Sequence, residues 1–102
     1  MTLFDHAEAE RRKEEGMARA ADARATALAL AKRYAVTLAQ MHGDITSDDV
    51  ALAMEQDGHR YEHLGNAAGS LFRGRFEWTG RTATSARVST HGRIIRVWRL
   101  KP

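Results

Sequence analysis

Apolar positions recur at helical steps from Met17 to Phe72 and alternate with polar ones in stretches of the last quarter of the chain. From Met17 to Met41 alanine dominates, and Leu28, Ala31, Tyr34, Ala35, Leu38 and Met41 follow at steps of three and four, which predicts a helix with one buried face. His42-Gly43 ends it, with Gly43 as a left-handed C-terminal cap. The stretch "DITSDDVALAMEQDG" predicts a short extended lead-in and a second helix. There Thr46 and Asp49 form a cap, Ile45 and Val50 act as a hydrophobic staple, and Val50, Ala53 and Met54 face the core. Asp48 and Asp49 sit where the positive end of that helix favours acids, a structural role and not a catalytic or metal-binding one. Gly58 ends this helix. A third helix is expected from about Glu62 to Arg73, because Leu64, Ala67, Ala68, Leu71 and Phe72 keep the amphipathic spacing, with Gly74 as its stop. "RFEWTG" and "RIIRVWRL" then read as strands, joined by the polar, basic loop "RTATSARVSTHG".

The order is helix, short strand, helix, helix, strand, basic loop, strand, which predicts an α+β fold. It is the element order of a winged helix-turn-helix, a three-helix bundle with a C-terminal β-hairpin wing. The domain is expected over residues 17–102. Residues 1–16, with "DHAEAERRKEEG" and no apolar stripe, are expected to form a charged N-terminal helical arm, flexible or ordered by a partner.

From Gly43 onward, "ITSDDVALAM", "LGNAAGSLFRG", "FEWTGRTATSARVSTHGR" and "IRVWRL" resemble the winged-helix DNA-binding domains of small, mostly uncharacterised phage and prophage proteins that end in a Val-Trp-Arg strand. The resemblance covers about the last 60 residues. It implies that the third helix enters the major groove and that the hairpin loop reaches phosphates or the adjacent minor groove.

Composition narrows the choice of function. At 102 residues the chain holds one small domain, whose core hides roughly two-thirds of the unfolded surface, so an elaborate buried active site is not expected. Cysteine is absent, which excludes disulfides and thiolate metal sites. No stretch reaches the roughly 18–20 apolar residues of a membrane span, and the charged start lacks the apolar centre of a signal peptide; the expected address is the cytoplasm. Charge is split along the chain. Residues 1–58 carry 7 Lys/Arg against 11 Asp/Glu, whereas residues 59–102 carry 9 against 2. A basic half of this kind points to a polyanion partner, most often nucleic acid.

If Leu64, Ala68, Leu71 and Phe72 face the core, the opposite face of the third helix holds Gly65, Asn66, Gly69, Ser70 and Arg73. Arginine suits guanine edges or phosphate, asparagine pairs with adenine, and serine serves either. The two glycines cost roughly 0.5–1 kcal/mol each in a helix interior, so they imply a shallow trench that DNA backbone or another helix approaches. In and beside the wing, Arg75, Arg81, Arg87 and Arg93, interleaved with Thr and Ser hydroxyls, are the expected phosphate contacts, with Arg87 the candidate for the minor groove. Trp78 and Trp98 are expected to pack in the core or sheet. "HRYEH" sets His59 and His63 four apart, but no carboxylate completes a zinc pattern, so no metal site is expected.

No nucleophile, acid–base pair or phosphate-binding loop stands out. The chain is therefore read as a non-enzyme without a cofactor: a DNA-binding transcriptional regulator or a replication or recombination accessory, with double-stranded DNA as partner. The rival reading is a protein-interaction module that inhibits a host nucleic-acid enzyme. A homodimer through Leu28, Tyr34 and Leu38 of the first helix is a further expectation.

Overall fold

Alanine spacing decides how the first helix is buried. In the computed structural model, which describes the backbone of residues 3–102 and the side chains of residues 19–102, α1 runs Leu3–His42. Its fully buried row is Ala31, Ala35 and Ala39, one residue per turn, and the small side chains let the rest of the fold close over that row. Leu28, Tyr34 and Leu38 flank it, half-buried against the chain's own core. Met41, expected on the buried face, is 68% exposed. It stands two positions past Ala39, about 200° around the helix, where the row has already ended. The side chains of the expected charged arm lie outside the described residues, while the backbone of α1 is a single helix across position 16.

Gly43, with φ 88°, donates its N–H to the Ala39 carbonyl at 2.8 Å and turns the chain into α2, Ser47–Gln56. The α2 start is a full capping box: the Asp49 N–H donates to Thr46 Oγ1, and the Thr46 N–H donates to Asp49 Oδ2 at 2.7 Å. Val50, Ala51 and Met54 are its buried residues, so Ala51 takes the place expected of Ala53.

The expected third α-helix is a 3₁₀ segment, Tyr61–Ser70, broken at Gly65. Gly65 has φ 52° and ψ −132°, a combination that side-chain-bearing residues rarely adopt. The segment is two short turns meeting at that glycine, in keeping with how rarely 3₁₀ geometry persists beyond three or four residues. The division of faces nevertheless follows the pattern. Leu64, Leu71 and Phe72 are buried, while Gly65, Asn66, Gly69 and Arg73 are exposed.

A turn over residues 71–75 leads into the antiparallel hairpin of β1, Phe76–Thr84, and β2, Ile94–Leu100. Phe76 pairs with Leu100 and Trp78 with Trp98; the register then slips, and Thr82 pairs with Arg96. Three residues of β1 thus oppose one of β2. The Thr79 hydroxyl donates across this bulge to the Val97 carbonyl at 2.9 Å. Ile45 bridges to Trp98 on the free side of β2 through two backbone hydrogen bonds, of 2.9 and 2.8 Å, so the lead-in to α2 lies against the hairpin as a minimal third strand. Phe72 joins the layers. It stacks on Trp98 with centroids 5.2 Å apart and meets Phe76 edge-on at 5.1 Å. Trp98 thereby packs as expected, whereas Trp78, next to the bulge, is 44% exposed and outside the core.

Candidate nucleic-acid interface

The wing is fastened to the start of α2. Ser85, the one buried polar residue among those described, donates its hydroxyl to the Asp48 carboxylate at 2.8 Å, and the Ala86 N–H donates to the same carboxylate at 2.8 Å. The Ser85 N–H donates to the Arg93 carbonyl at 2.8 Å, closing the loop between the strands. Asp48 therefore does more than favour the positive end of its helix. Nothing local in the sequence signals this role, because 37 residues separate it from Ser85.

Arg87 follows this anchor and does not extend from the loop. Its guanidinium lies 4.7 Å from the centre of the Tyr61 ring, at the first residue of the 3₁₀ segment, and the side chain is half-buried. The loop also exposes an apolar residue. Val88 is 90% exposed, followed by exposed Ser89 and by His91 in a left-handed turn at φ 51°. Burial raises the Tyr61 hydroxyl's pKa above its ordinary value; the Arg87 cation works against that rise and the Asp48 carboxylate adds to it. The Tyr61 ring thus lies beneath the Arg87 cation.

The seven residues expected to meet DNA are spread over the 3₁₀ segment, the turn after it, β1 and the loop between the strands. Asn66 and Arg73 are exposed and Ser70 is half-buried, on the 3₁₀ segment and the turn after it, where the Arg73 N–H donates to the Ser70 carbonyl at 3.1 Å. Over Gly65, the nearest atom to a side chain built there would be Arg24 Nε of α1, at 3.6 Å, while the space over Gly69 is open. The body that approaches the first glycine of the trench is thus the chain's own first helix. Arg93 is exposed at the base of the wing. Arg81, at the bulge, is ion-paired with Asp44, and the neighbouring Trp78 carries Arg96 stacked 4.5 Å above its ring.

Arg75 has company that the sequence did not single out. With Lys32 and Arg33 of α1 it lines one shallow groove of about 550 Å³ that has no acidic residue in its wall. These two cations sit on the polar side of a helix whose pattern reads most directly as core. His59, for its part, packs edge-on against Tyr34 with ring centroids 6.0 Å apart, and the Tyr34 hydroxyl donates to Asp57. That hydrogen bond, more than burial or the Asp57 charge, raises the Tyr34 pKa. Among the described residues, no three His, Asp or Glu side chains gather as metal ligands, and no helix is long and apolar enough to cross a membrane. Comparison with protein families, with curated proteins and with solved structures finds no match to this chain.

Proposed function

We propose that the chain is a cytoplasmic DNA-binding protein of phage or mobile-element type, a transcriptional regulator or a replication or recombination accessory built as a winged helix-turn-helix. The observation that supports this reading is the Ile45–Trp98 bridge together with the wing anchored on Asp48, a pair compatible with winged-helix connectivity that fastens a basic loop to the start of α2. Asn66, Ser70 and Arg73 face the major groove in this reading. Arg75 and Arg93 take phosphates, joined by Arg87 if it leaves Tyr61 and by Arg81 if Asp44 releases it.

Selection of bound sequences from random duplex DNA tests the proposal. Enrichment of a defined site makes the protein a specific regulator, retention without enrichment makes it an architectural accessory, and no retention at low salt contradicts DNA binding altogether.

A second reading, an interaction module that inhibits a host nucleic-acid enzyme, draws on a separate observation. The wing presents Val88 and Ile94, 90% and 66% exposed, where a phosphate-seeking loop has little use for apolar side chains. Val88→Asp separates the two readings. It leaves DNA affinity within a few-fold if the wing arginines do the binding, and abolishes capture of a protein partner if the apolar tip does.

A further inference from the structure

The part of α1 that carries the core also carries charge of one sign. Residues 23–42 include Arg24, Lys32 and Arg33 and no Asp or Glu, a run hidden within the acidic total of residues 1–58. A lysine or arginine on a helix surface commonly has an acid one turn away. Lys32 has instead Leu28 and Val36 four positions to either side, and Arg33 has Ala29 and Thr37. Both cations are exposed.

The fold brings a third cation to them. Arg75, exposed in the turn that leads to β1, lines the same groove of about 550 Å³ as Lys32 and Arg33, with Ala29, Val36 and Thr37 as the remaining wall. Among the described residues none of the three cations forms an ion pair. The Lys101 N–H donates to the Arg75 carbonyl at 2.9 Å, which sets the backbone of a further basic residue beside the groove. Asp57 lines a neighbouring groove that also includes Arg33, and there it accepts the Tyr34 hydroxyl. Like charges gathered without a counter-charge repel one another, and a bound anion relieves that repulsion.

The shape of the site selects the kind of anion. The groove is shallow, its three cations are exposed, and no buried polar side chain stands in its wall to fix a small ion. A polyanion lying along the surface meets all three. Two guanidinium groups and one ammonium are chemistry suited to phosphate oxygens, with the arginines able to grip two oxygens at once.

We propose that Lys32 and Arg33 of α1 form, with Arg75, a site for the phosphodiester backbone of duplex DNA. The proposal rests on the DNA-binding reading and extends its contact surface from the turn before β1 onto the first helix. α1 then has two roles: its alanine row closes the core, and the flank with Lys32 and Arg33 holds the backbone. Such contacts fix the position of the protein on the duplex and read no sequence.

Anisotropy titrations with a duplex of about 25 base pairs, more than two helical turns, compare the full chain with its Lys32→Ala/Arg33→Ala double variant. The two side chains are expected to add about 1.8 to the steepness of the log–log salt dependence that the arginines of the turn and wing set. A fourfold rise in salt should accordingly weaken the unaltered chain about twelve-fold more than the double variant. The charge-preserving Lys32→Arg variant is expected to keep the full slope. A double variant with the slope of the unaltered chain overturns the groove site and leaves the DNA-binding reading standing, whereas no binding by the unaltered chain at low salt overturns both. A second measurement leaves every cation in place. The chain has no cysteine, so Thr37→Cys supplies a single thiol in the groove wall for an iron–EDTA group. The tagged chain is expected to cut the bound duplex, and a bound duplex left uncut contradicts the site.

Discussion

α2 and the 3₁₀ segment that follows it have ten residues each and both carry an amphipathic pattern, yet only one is an α-helix. α2 opens on a reciprocal capping box and has no glycine inside it. The 3₁₀ segment opens at Arg60 with no side-chain cap, contains Gly65 and Gly69, and turns through a positive φ at the first of them. Periodicity reports which residues face the core, and it was right for Val50 and Met54 of α2 and for Leu64, Leu71 and Phe72, though in α2 Ala51 is buried in place of Ala53. Whether the backbone between those residues is a regular helix depends on terminal hydrogen bonds and on where glycine allows the chain to turn. A winged-helix reading of this molecule therefore rests on topology and on the wing, with the third element serving as a bent presenting segment.

The largest effect that would break the comparison is expected at the floor they share. Met54→Ala, at a side chain only 1% exposed, is predicted to cost about 2–5 kcal/mol in chemical denaturation, and Leu64→Ala a similar amount. Gly65→Ala comes next, with a predicted loss of about 1–3 kcal/mol, because alanine is strained at φ 52°. Gly69→Ala is predicted to be neutral or stabilising by up to about 1 kcal/mol, since its φ is not positive and its side-chain space is open. A stabilising Gly65→Ala would show that the segment is a regular α-helix after all. Thr46→Ala is predicted to cost about 1 kcal/mol through loss of the α2 cap.

The smallest effect concerns pH. With its folded-state pKa above the ordinary 10.0, Tyr61 holds its proton more tightly in the folded chain than in the unfolded one. Its contribution to stability is fully present below about pH 10 and is lost as pH rises through the folded pKa. Melting temperature should thus fall on the alkaline side, and Tyr61→Phe should flatten that fall while keeping a ring beneath Arg87. Removing the cation with Arg87→Ala should push the Tyr61 titration higher still, which ultraviolet absorbance reads directly.

Local chemistry was legible in the sequence and distant chemistry was not. The cap at Thr46, the helix stop at Gly43, the two strands and the alanine face of α1 each follow from residues within a turn or two of one another. Asp48 on Ser85, Arg81 on Asp44 and Arg87 over Tyr61 join residues 26 to 37 positions apart, and each changes the meaning of a candidate contact. Arg87 illustrates the limit. As a loop arginine it reads as a probe for the minor groove, but the fold places an aromatic ring under it. Arg75 shows the opposite case, gaining Lys32 and Arg33 from a helix 42 or more residues earlier.

The salt dependence of DNA binding tests the central claim most directly. In an anisotropy titration of the full chain against duplex DNA, log affinity should fall linearly with log salt. The share of the slope from Arg75, Arg81, Arg87 and Arg93 should be about −3.6 if all four reach phosphates, and about −2.7 if Asp44 keeps Arg81. Arg93→Ala should make that slope shallower by about 0.9. No binding at low salt, or a slope that Arg75→Ala and Arg93→Ala together leave unchanged, would contradict the assignment of this basic half to DNA.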